Sequence, residues 1–89
     1  MTWALRYSAK ADRQLSKLDK SVSRILVLWL NKNIDRCENP RALGKPLSGD
    51  HAGKWRYRVG SYRVLADIQD EELVVLALEV AHRSKSCLS

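Results

Sequence analysis

Apolar positions recur along the chain with two different periods, and the change of period divides it into elements. Trp3 to Tyr7 reads as a short first strand. Ser8 then has the side chain of a helix N-cap, and Ala11, Leu15 and Leu18 fall on one stripe up to about Leu18, with Lys10, Arg13 and Lys17 off it. A second helix starts at a cap on Asp19 or Ser21. Val22, Ile25, Leu26, Trp29, Leu30 and Ile34 follow the i, i+3, i+4, i+7 rule to about Arg36. The very short connection makes the two helices a hairpin. Asn39-Pro40 ends the second one, because the residue before a proline is pushed out of the helical region.

The segment from there to Gly53, with Pro46 and Gly49, reads as a loop in which Ala42 to Leu47 can hold a turn. Beyond it the period falls to two. Gly60-Ser61 is a two-residue turn with glycine first, as a type II′ hairpin requires. That turn sets Val59 opposite Tyr62, Arg58 opposite Arg63, Tyr57 opposite Val64 and Arg56 opposite Leu65. Alternation puts Trp55, Tyr57, Val59, Tyr62 and Val64 on one face, and Lys54, Arg56, Arg58 and Arg63 on the other. The second hairpin strand reaches Ile68, Gln69 to Glu72 is a polar turn, and Leu73 to Val80 is apolar enough for a strand buried on both faces. The expected fold is α+β: an N-terminal strand, a helical hairpin, then a three-stranded antiparallel meander. Together these make one mainly antiparallel sheet with two helices on one face, in a single domain over residues 1–89.

Composition narrows the class. The chain has 89 residues, 45% of them hydrophobic, which suits one folded domain. A formal charge of +6 favours a polyanionic partner or a strongly acidic protein. The charge is clustered: Lys45, Lys54, Arg56, Arg58 and Arg63 share one stretch with a single carboxylate, Asp50. Cys37 and Cys87 have no zinc spacing and read as free thiols of a reducing cytoplasm. No stretch approaches the ~20 apolar residues that span a bilayer, so no membrane partner is expected.

The arginine face carries the chemistry. Like charges set opposite each other destabilise a sheet, and Arg58 opposite Arg63 makes sense when an anion lies over them. Phosphate fits best, since guanidinium groups grip it bidentately and spread developing charge. Trp55 and Tyr57 can stack on bases, but their alternation with valines favours core packing, as does the place of Trp29 on its helical stripe. His51 lies in the preceding loop, where a surface role is the simpler reading.

Three segments together resemble the RelE/ParE toxin superfamily over essentially the whole length. They are Lys45-Pro46-Leu47-Ser48-Gly49, the hairpin from Gly53 through Trp55, Arg56, Tyr57, Arg58, Val59, Gly60, Ser61 and Tyr62 to Val64, and the closing Glu79-Val80-Ala81-His82-Arg83. The resemblance implies a toxin of a type II toxin–antitoxin pair, with the RelE branch the better match. Such a toxin enters the ribosomal A site and cuts mRNA by attack of a ribose 2′-OH on the adjacent phosphate. It is neutralised by a RelB-like antitoxin in a hetero-oligomer, acts in the cytoplasm and uses no metal or cofactor. A ParE-like gyrase inhibitor and a degenerate toxin that only binds its antitoxin remain alternatives. By family position, Arg63 and Arg83 would stabilise the phosphate and transition state. Arg58 would also help activate the hydroxyl, and His82 is the proton-transfer candidate. Lys54, Arg56 and Lys45 would bind RNA. The pattern breaks at Ser84 to Ser89, where many RelE-like toxins carry a tyrosine and this chain has none.

Overall fold

The computed structural model of the protein describes residues 2–47, 49 and 53–82. Strand β1 (Ala4–Tyr7) leads into helices α1 (Ala9–Lys17) and α2 (Lys20–Asn33), followed by strands β2 (Lys45–Pro46), β3 (Trp55–Val59), β4 (Tyr62–Gln69) and β5 (Val74–His82). The five strands form one sheet in the order β1-β5-β4-β3-β2. Only the β1–β5 pair is parallel. The expected α+β architecture is present, with one addition. The segment expected to be loop contributes β2, a two-residue edge strand pairing Lys45 with Arg56 and Pro46 with Trp55. Pro46, which has no N–H to give, is tolerated at such an edge.

Ser8 shows how local chemistry starts α1. Its hydroxyl oxygen accepts a hydrogen bond from Ala11 N at 3.0 Å, the role of an N-cap. Ala11 and Leu15 point inward from α1, and Leu26, Leu30 and Ile34 form the inner stripe of α2 and its C-cap. They meet Tyr57, Val59, Val64, Ala66, Val75, Ala77 and Val80 from the sheet, and this is the core. Ile25 is not part of it. It lies about 100° round the helix from Leu26 and is 61% exposed, beside Leu28 at 57%.

The edges of the sheet are closed in different ways. Along β1, Trp3 N donates to Cys37 O (2.9 Å), Arg36 N donates to Trp3 O (2.8 Å), and Leu5 N donates to Asp35 Oδ1 (3.1 Å). Where β1 ends and leaves β5 uncovered, α1 takes over: the Gln14 side-chain oxygen accepts from Val80 N at 2.6 Å. Covering an edge in this way blocks pairing with a stray strand. At the far side β2 is too short to cover β3, and the edge at Arg58 stays open.

Candidate phosphate-binding face

The β3–β4 hairpin has the expected register, with Val59 on Tyr62, Arg58 on Arg63, Tyr57 on Val64 and Arg56 on Leu65. Gly60 takes φ +60 and Ser61 stays out of the left-handed region, as a type II′ turn requires. A two-residue loop makes Val59 and Tyr62 the hydrogen-bonded closing pair. Arg58 and Arg63 are then a non-hydrogen-bonded pair, in which side chains lie closer together. Tyr57, Val59 and Val64 are buried under the helices. Arg56, Arg58 and Arg63 occupy the face that no helix covers.

Each cation on that face has a different environment. Lys54 Nζ lies 3.6 Å from Asp67 Oδ1, so part of its charge is already answered. Among the described residues, no carboxylate comes within ion-pairing distance of Arg56, Arg58 or Arg63. Arg63 Nε is moreover buried without a hydrogen-bond acceptor. Leaving a buried charged donor unmatched costs more than the ~1–3 kcal/mol of a neutral one, so this atom favours an incoming anion. Lys45, in β2, pairs directly with Arg56 and extends the cationic strip to the sheet edge.

The last strand behaves differently from the expectation. His82 pairs with Tyr62, and their rings meet edge to face at 5.0 Å. It therefore stands on the helix side of the sheet, away from Arg58 and Arg63. The cause is a bulge. Leu65 pairs with Glu79 but Ala66 pairs with Ala77, so Leu78 is an extra residue in β5. One inserted residue reverses the face of everything beyond it. Val75 and Ala77 are core residues before the bulge, Val80 is core after it, and Ala81 lies opposite Arg63 on the open face. The Leu78 carbonyl accepts from Ser8 Oγ at 2.9 Å, which ties the bulge to the start of α1. Arg83 and His51 lie outside the described residues.

The loop before β3 is stitched to the sheet. The Tyr57 hydroxyl donates to Pro40 O at 2.6 Å, and Trp55 Nε1 donates to Leu43 O at 2.7 Å. Burial pushes the Tyr57 phenol well above its usual range, so it stays a donor. Arg41 grips Asp70 through two hydrogen bonds of 2.8 Å, and that bond lowers the Asp70 carboxyl below its ordinary value. Tyr57, fully buried, is thus a structural tie and no stacking platform, and Trp55 ties the loop to the sheet through its ring N–H. A cleft of about 290 Å³ remains beside the loop, lined by Trp29, Leu43, Gly44, Lys45, Arg56 and Arg58. Sequence reasoning missed Trp29 and Leu43 here. Trp29 follows the core stripe, and nothing local signals that it borders a cleft at the sheet edge.

Comparison with known proteins fixes the family. The family described as ParE toxin of the type II toxin–antitoxin system matches residues 5–86. The chain belongs to the RelE/ParE family of type II toxins. It is 34% identical to Toxin RelG of Mycobacterium tuberculosis over 84 residues, covering 94% of both chains. It is also 34% identical to Toxin RelE of the same organism over 79 residues, covering 89% of this chain and 79% of that one. Among solved structures, the toxin–antitoxin complex RelBE2 of M. tuberculosis contains a chain with a TM-score of 0.84 and 33% identity, 94% of each chain being covered. A doubly arginine-substituted RelE of Escherichia coli in its free state gives a TM-score of 0.75 at 25% identity, covering 97% of this chain and 88% of that one.

Proposed function

We propose that this toxin is a ribosome-dependent endoribonuclease that cuts mRNA in the decoding site. The observation that carries the reading is the pair Arg58 and Arg63, set opposite each other with no carboxylate of the described residues in ion-pairing distance and with Arg63 Nε buried and unmatched. In the reaction the 2′ oxygen bonds to the adjacent phosphorus and the bond to the 5′ oxygen breaks. A proton leaves the 2′-OH and one is delivered to the 5′ oxygen. Arg58 and Arg63 hold the phosphate and stabilise the added charge of the phosphorane. Arg56 and Lys45 guide the strand, Lys54 contributes less because of Asp67, and Arg83 is retained as a phosphate ligand from its motif position. His82, packed on Tyr62 behind the sheet, serves the fold and not the proton transfer. Arg63→Ala should lower cutting about a hundredfold or more, whereas His82→Gln should leave it within a few-fold. The reverse pattern in message-cleavage assays would overturn the assignment.

A second reading is favoured by the ParE description of the matching family: a gyrase inhibitor, whose mark would be blocked supercoiling with intact mRNA. A third, a toxin that only binds its antitoxin, has support in the missing C-terminal tyrosine.

The partner is an antitoxin, as in the complexes of related toxins. Exposed Ile25 and Leu28 on α2, flanked by exposed Lys20, Arg24 and Lys32, suit an amphipathic segment with acidic flanks. Ile25→Asp combined with Leu28→Asp should weaken antitoxin binding about tenfold or more and leave cutting unchanged. Unaltered binding in titration calorimetry would place the antitoxin elsewhere.

A further inference from the structure

The cleft beside β2 is distinct from the phosphate pair but adjoins it. It is lined by Leu43, Gly44 and the half-buried Trp29 together with the cations Lys45, Arg56 and Arg58. We propose that this cleft is a nucleobase subsite. One base of the RNA whose phosphate lies on Arg58 and Arg63 rests against Trp29, with a neighbouring phosphate on Lys45 and Arg56. The proposal rests on the ribonuclease reading and adds to it a place where the strand is held by a base.

Three features point to a base. An aromatic surface bordered by cations is how proteins hold single-stranded nucleic acid, with stacking inside and phosphate at the rim. Because β2 stops at Lys45, the backbone of Arg58 turns its N–H and C=O toward the cleft with no strand opposite. A donor and an acceptor side by side match the edge of a base better than they match a carboxylate. The volume of about 290 Å³ is just below the ~300–1,000 Å³ of small-molecule sites, which suits one planar group. The site is also built in advance. Trp55 holds the Leu43 carbonyl, Tyr57 holds that of Pro40, and Arg41 is clamped on Asp70, so little ordering remains to be done on binding.

The test uses ribosomes programmed with a message whose A-site codon carries 2′-deoxyribose, which can be bound but not cut there. Replacing each A-site nucleotide in turn by an abasic one should weaken toxin binding about tenfold at one position. Trp29→Leu and Leu43→Glu should each bind that abasic message and the intact one equally well, while Arg63→Ala should weaken binding to every message alike. Leu43 is exposed, so Leu43→Glu remains informative if Trp29→Leu fails to fold. Discrimination that survives in Leu43→Glu, or that appears at no position, overturns the subsite and leaves the ribonuclease reading standing. Loss of antitoxin binding in Leu43→Glu with discrimination intact also overturns it, giving the cleft to the protein partner. Toxin that binds programmed and empty A sites equally sinks the ribonuclease reading itself.

Discussion

A Cβ at Gly44 would lie 2.3 Å from the Arg56 carbonyl oxygen and 2.7 Å from Trp55 Nε1, and the residue sits at φ +78. Both facts exclude any other residue without movement of the loop. Gly44→Ala should cost about 1–3 kcal/mol of stability, from left-handed strain and the forced retreat of the loop. Equilibrium urea unfolding would measure it, and an unchanged midpoint would mean that the loop is not held as described. The requirement was not readable from the chain. Gly60 announces itself, because a turn and its flanking strands are neighbours in sequence. Gly44 is constrained by residues that meet it only after folding. The arginines fall between these cases: their shared face follows from alternation, but the buried, unmatched Nε of Arg63 depends on packing.

The bulge in β5 is the element that decides which side chains share the site. Ser8 controls it from a distance, since one hydroxyl both caps α1 and donates to the carbonyl of the extra residue, Leu78. Ser8→Ala should therefore cost about 1–2 kcal/mol, at the upper end for a cap. Amide hydrogen exchange should show the loss at the start of α1 and at residues 78–80 together. Loss confined to α1 would mean that the bulge stands without Ser8. The apolar run that marked β5 as a strand also concealed the bulge. With apolar residues on both faces, Leu73 to Val80 carries no alternation from which a parity change can be read, so the side of the sheet on which His82 stands is not legible in the chain. The two helices and the hairpin were legible because their periods are strict. The two-residue β2 was not, since an edge strand of that length is defined by its partner.

Along the β3–β4 hairpin and the β4–β5 turn the charge is polarised. Arg56, Arg58 and Arg63 gather near the Gly60 turn, and Asp67, Asp70, Glu71 and Glu72 lie toward the other end of β4 and its turn. The Arg41–Asp70 bridge closes the acidic end by joining the loop after α2 to the β4–β5 turn. Asp70 has a lowered folded-state value because Arg41 holds its anionic form. The stabilisation is accordingly complete above the ordinary carboxylate range and disappears as pH falls through the lowered value. Asp70→Asn should lower Tm slightly at about pH 7, and the difference should shrink as pH falls through the carboxylate range. A Tm difference that is constant across that range would contradict the bridge as its source.

The same polarity points the arginine end at a polyanion, proposed above to be mRNA in the decoding site. Purified toxin should be mixed with ribosomes holding a defined message, and the message ends mapped. A cut within the A-site codon is expected, absent without ribosomes and about a hundredfold or more slower for Arg63→Ala. Intact message, together with inhibition of gyrase supercoiling by the same preparation, would contradict it.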